Sequence, residues 1–158
     1  MSLTLQIQQQ LSHLHSQGGQ GLLSLNLPEG LLEADFTAID TIGCAFESLS
    51  LNSSKLATAT LDELKNLSVQ LTAKLSYLLE PISLIEADAH SSTVQLRSSP
   101  PQQGEDGRSY YELVVAKGGH LRLCRFFKAT GQPRQIIPAQ VTRQVFARLG
   151  EDFTAVMR

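Results

Sequence analysis

The stretch Ser109–Thr130, SYYELVVAKGGHLRLCRFFKAT, decides how the rest of the chain is read. It holds two strand-like runs joined at Gly118-Gly119, and glycine accepts the positive φ that hairpin turns of mirror-image type require. If the two glycines are the whole turn, Lys117 faces His120 and the register follows. Val115 then pairs with Arg122, Leu113 with Cys124 and Tyr111 with Phe126 on one face. Ala116 pairs with Leu121, Val114 with Leu123, Glu112 with Arg125 and Tyr110 with Phe127 on the other. This register predicts a structural ion pair, Glu112–Arg125, because opposite charges directly across an antiparallel ladder attract. It also predicts that both faces of the hairpin are mostly apolar and that both are covered.

Upstream, Leu3, Ile7, Leu11 and Leu14 recur at helical spacing and predict an amphipathic helix over 3–16, ended by Gly18-Gly19. Leu23, Leu25 and Leu27 alternate before Pro28-Glu29-Gly30, and Leu32, Ala34, Phe36 and Ala38 alternate after it, which reads as a hairpin with one wet face. CAFESLSLN adds a third strand. In TATLDELKNLSVQLTAKLSYLLEP, Thr60 and Glu63 form a capping box, and Leu61, Leu64, Ser68, Leu71, Leu75 and Leu78 make one stripe up to Pro81. Strands ISLIEADA and TVQLRS follow, then the polar loop SPPQQGEDGR. After the quoted hairpin, an extended piece leads into a last helix that Thr142 caps.

The predicted order is α-βββ-α-ββββ-α. Neighbouring strands joined by short turns imply an α+β fold with an antiparallel sheet of about seven strands and a long central helix packed on it. Residues 1–158 read as one α+β domain, with the helix at 3–16 free to lie at its periphery and 98–108 as a mobile loop. In outline, this order of elements resembles that of small bacterial secretion-chaperone folds; the likeness is one of element order, with no motif behind it.

Composition bounds the function further. Apolar residues make up 42% and charged residues 18% of the 158, and the formal net charge is −2. Residues 1–100 carry a net −6 and residues 101–158 a net +4, an asymmetry that intramolecular pairing explains better than a nucleic-acid partner. No run approaches the ~18 apolar residues of a membrane span. The start of the chain lacks a secretory signal, and Cys44 and Cys124 form no CxxC, so a cytoplasmic address without a disulfide framework is expected.

No HExxH, paired CxxC, EF-hand, Walker, dinucleotide-binding or GxSxG pattern is present, so no catalytic residue, metal ligand or cofactor is assigned. Carboxylates at strand spacing, Glu33 with Asp35 and Glu86 with Asp88, read as solvated strand faces. The readable ligand candidates are Arg122, which lacks a facing acid, His120 beside it, and Arg125, whose planar fork suits a carboxylate or phosphate. Two functions follow as expectations. The first is a non-enzymatic protein-association module, homodimeric, with no nucleic-acid or membrane partner. The second is a small anionic-ligand-binding protein or enzyme using a cavity between the long helix and the sheet.

Overall fold

The computed structural model describes all residues, Met1–Arg158. Three helices, α1 (Leu3–Ser16), α2 (Leu61–Lys74) and α3 (Arg143–Ala155), lie on one side of a ten-stranded antiparallel sheet. The strands are β1 (Gly21–Leu27), β2 (Gly30–Ile39), β3 (Gly43–Asn52), β4 (Ile82–Asp88), β5 (Thr93–Ser98), β6 (Gln102–Gln103), β7 (Gly107–Ala116), β8 (His120–Ala129), β9 (Gln135–Ile137) and β10 (Ala139–Thr142). The main path runs β1-β2-β3-β8-β7-β5-β4, so β1 and β4 are the two edges. The α+β class and antiparallel pairing agree with the sequence reading. The strand count does not, because three short strands come from segments with too few apolar residues to announce themselves.

The central helix is also shorter than expected. Its capping box forms, with Thr60 Oγ1 accepting from the Glu63 amide and Glu63 Oε1 from the Thr60 amide. The apolar stripe is buried at Leu64, Ser68, Leu71, Leu75 and Leu78. The α-helix nevertheless ends at Lys74, and Leu75–Leu78 tighten into a 3₁₀ turn closed by Leu79 at φ +64°. Tyr77 fixes this bend: its hydroxyl donates to Asp152 of α3 at 2.7 Å, and Arg148 of α3 lies over its ring.

The sheet forks. The C-terminal half of β3 pairs with the N-terminal half of β8, from Leu49↔Leu123 to Asn52↔His120. Beyond that the two strands part, and the chain after Pro133 fills the gap. β9 pairs with β8 at Arg125–Phe127, and β10 pairs with β3 at Gly43–Phe46. Pro138, which has no N–H to give a ladder, stands where the partner changes. Over the fork sits α3, whose N-cap Thr142 accepts from the Val145 amide. Phe146 packs on Phe36 and Phe46 with ring centroids 4.8 and 5.4 Å apart. Helix α1 belongs to the same core, with Ile7 and Leu11 fully buried. Gly150 of α3 lets Ile7 approach so closely that an added Cβ would lie 2.5 Å from its Cδ1.

The 98–108 segment contains β6, paired to β7 at Ser109 and Arg108, so it extends the sheet beyond the end of β5. Its residues are mostly exposed, as its composition implies. Cys44 and Cys124 lie in strands as expected, buried and free.

Candidate functional site

The Ser109–Thr130 hairpin forms, in a different register. Ala116 pairs with His120, making a three-residue loop of Lys117, Gly118 and Gly119, and every pair follows from that. Only Gly119 takes positive φ, at +118°, with its amide donating to the Ala116 carbonyl. A one-residue slip moves one strand's side chains to the other face relative to its partner. Tyr111, Leu113 and Val115 therefore align with Arg125, Leu123 and Leu121 beneath the helices, while Tyr110, Glu112 and Val114 align with Phe126, Cys124 and Arg122 on the helix-free face. The expectation of two apolar faces is corrected: the helix side gathers the aliphatic residues, and the other side is mixed.

The predicted Glu112–Arg125 pair is corrected with it. Glu112 stands opposite Cys124 and Arg125 opposite Tyr111, so the two side chains leave the sheet in opposite directions. Arg125 pairs with Glu80, Nη1 lying 2.9 Å from Oε2, and both side chains are about nine-tenths buried. The surrounding groups complete a network. Arg125 Nη2 donates to Ser109 Oγ and its guanidinium lies over the Tyr111 ring, while Ser98 Oγ donates to Glu80 Oε1 and accepts from the Tyr111 amide. Burial pushes the Tyr111 hydroxyl above its usual range.

On the open face Glu112 is buried between two arginines. Arg97, its neighbour on β5, approaches to 3.5 Å, and Arg134 makes a two-pronged contact, with Nη2 donating to Oε1 at 3.3 Å. That hydrogen bonding holds the Arg134 guanidinium above its usual range. Each arginine also stacks on an aromatic ring, Arg97 on Tyr110 and Arg134 on Phe126. The result is a ladder across β5, β7, β8 and the segment just before β9 that shields Tyr110, Glu112 and Cys124 from water. Burial raises the Cys124 thiol and takes the Cys44 thiol up to about 12, so neither is a ready nucleophile.

The three ligand candidates are thus divided. His120 and Arg122 are exposed on the open face, facing Asn52 and Ser50 of β3, whereas Arg125 lies on the helix side. A single cavity between α2 and the sheet cannot use both arginines. The sequence reading missed Glu80, Arg97 and Arg134. Glu80 stands just before Pro81 at the end of the helical run, off its apolar stripe, and Arg134 lies in a proline-glutamine segment with no periodicity. No three His, Cys, Asp or Glu side chains converge as a metal centre would require.

A different surface stands out by its apolar exposure. Nine large hydrophobic residues are exposed, and four of them lie on α2, the bend after it, or the edge strand β4: Val69, Leu79 (88% exposed), Leu84 and Ile85. Strand β4 pairs only with β5, leaving its other backbone edge free. A bulge at Ile85 interrupts its ladder. No helix is long and apolar enough to cross a membrane. Comparison with known protein families, with characterised proteins and with solved structures gave no match.

Proposed function

We propose that the chain is a non-enzymatic protein-association module that works as a homodimer through the β4 edge and the adjoining surface of α2. The hairpin does not carry this reading, since its second face is sealed by the arginine–aromatic ladder. The carrying observation is the concentration of Val69, Leu79, Leu84 and Ile85 beside an unpaired sheet edge. Free edges template pairing with another chain, and apolar patches flanked by polar residues mark contact surfaces. The occupant we favour is a second copy, because a two-fold contact uses one surface twice and is the commonest arrangement of soluble oligomers. Glu86 and Asp88 at the end of β4 limit open-ended sheet growth.

Light scattering coupled to size exclusion tests the reading. The wild-type chain gives a mass near twice 17.3 kDa, and Leu84→Lys with Ile85→Glu gives a monomer with an unchanged circular-dichroism spectrum. A wild-type chain that stays monomeric at the highest concentration it tolerates overturns the proposal.

A further inference from the structure

On the open face, at the corner where β4, β5 and β7 meet the 99–101 segment, a hollow of about 290 Å³ is lined by Arg97, Arg108, Ser83, Ser99 and Tyr110 among others. We propose that it binds a small molecule through a phosphate group, with Arg97 and Arg108 as the cationic contacts and the Ser83 and Ser99 hydroxyls as additional donors.

Three observations support it independently. First, no carboxylate lines the hollow, although two guanidinium groups do. Glu112, which Arg97 approaches, is already shared with Arg134. Second, the Arg97 side chain makes no hydrogen bond: its one ion-pair contact is Nη2 at 3.5 Å from Glu112 Oε2, and it is 35% exposed. A guanidinium carries five N–H donors, and an oxyanion in the hollow supplies an acceptor to those that face water. Third, Arg108 stands directly across the β7–β8 ladder from Lys128, and Arg108 makes no ion pair. Like charges directly opposite destabilise a sheet, and a bound dianion offsets that repulsion. Lys128 is itself held by the carbonyls of Ala129 and Gln132, which leaves Arg108 as the free charge.

The hydroxyls argue for phosphate over carboxylate. A tetrahedral group with three peripheral oxygens can use two guanidinium forks and neutral donors together, whereas a planar carboxylate is satisfied by one bidentate arginine. At about 290 Å³ the hollow leaves room beside the phosphate for a small organic body against Ile85 and Pro101.

Thermal-shift and calorimetric titrations with inorganic phosphate, glycerol phosphate, acetate and sodium chloride at matched ionic strength decide the matter. A saturable rise in melting temperature with glycerol phosphate, absent with chloride and acetate, is expected; inorganic phosphate binding alone identifies the free anion as the ligand and still supports the site. Arg108→Gln, whose side chain is exposed and unpaired, should fold normally, keep the wild-type mass and weaken binding at least about tenfold, the loss of one charge-assisted contact. Arg97→Lys should weaken it too. Equal shifts with chloride or acetate, or unaltered binding in Arg108→Gln, overturn the assignment. Ile85 lines the hollow and also borders the β4 edge, so binding is read on Arg108→Gln and Arg97→Lys and not on the edge variant; with the mass measured separately on the same proteins, failure here leaves the homodimer reading intact.

Discussion

Glu112 and Arg125 stand on adjacent strands of one sheet and point to opposite faces, each neutralised by a partner from elsewhere in the chain. Arg125 closes the helix side by binding Glu80, in the turn between the α2 region and β4. Glu112 closes the open side by holding Arg97 and Arg134. The two pairs therefore fasten different layers: the first ties the end of the α2 region to β5, β7 and β8, and the second ties β5 and the segment leading into β9 to β7.

This relationship is testable by double-mutant cycles in chemical denaturation. Arg125→Met alone should cost about 3–5 kcal/mol, because it strands the buried Glu80 carboxylate. Residues 80 and 125 should couple by about 1 kcal/mol or more, while 112 and 125 couple by less than about 0.5 kcal/mol. Strong coupling between 112 and 125 would restore the two-residue-turn register.

Glu112→Gln should destabilise more than either Arg97→Gln or Arg134→Gln. Removing the carboxylate takes the counter-charge from both arginines at once, about 1.5–3 kcal/mol for lost charge-assisted contacts. Each single arginine change leaves the other in place, and both arginines reach water, so about 1 kcal/mol is expected there. Urea midpoints of the three variants give the ranking.

Asp40 gives the fold one piece of acid sensitivity. Its Oδ1 accepts from the amides of Gly43 and Ile42 at 2.6 and 2.8 Å, and these bonds hold its carboxyl below the ordinary 3.8. The unfolded chain thus binds the proton at higher pH than the native one, so the contribution is full above about pH 4 and lost as pH falls through the lowered native value. Asp40→Ala should lower the melting temperature at pH 7, and the gap to wild type should narrow as the pH falls below about 4. A gap independent of pH would show that the turn does not need the charge.

Two glycines should respond in opposite ways. Gly30 has φ +149°, and an added Cβ would lie 2.1 Å from the Asn52 carbonyl oxygen, so Gly30→Ala should cost at least about 2 kcal/mol. Gly118 has open space around it and no positive φ, so Gly118→Ala should change stability by less than about 0.5 kcal/mol. Thermal denaturation of the two variants separates them, and a costly Gly118→Ala would argue for the tighter turn.

The sequence by itself determined the elements whose signals are local. The Thr60–Glu63 capping box, the Leu64–Leu71–Leu75–Leu78 stripe, the Thr142 cap and the alternation of β1 and β2 are each written within a few residues, because caps and periodicities act over one or two turns. What the tertiary structure alone decided was register and partner choice. Gly118-Gly119 allows a two- or a three-residue turn, and the choice falls to the core: the three-residue loop puts Leu113, Val115, Leu121 and Leu123 on one face under the helices, where the alternative would have buried Arg122 or exposed leucines. That choice sent Glu112 and Arg125 apart. Their partners Glu80 and Arg134 come from a helix end and a proline-rich segment, where no local pattern could reveal them. Charge pairing across such distances depends on which face each strand shows to water, and burial summed over the whole sheet sets that face.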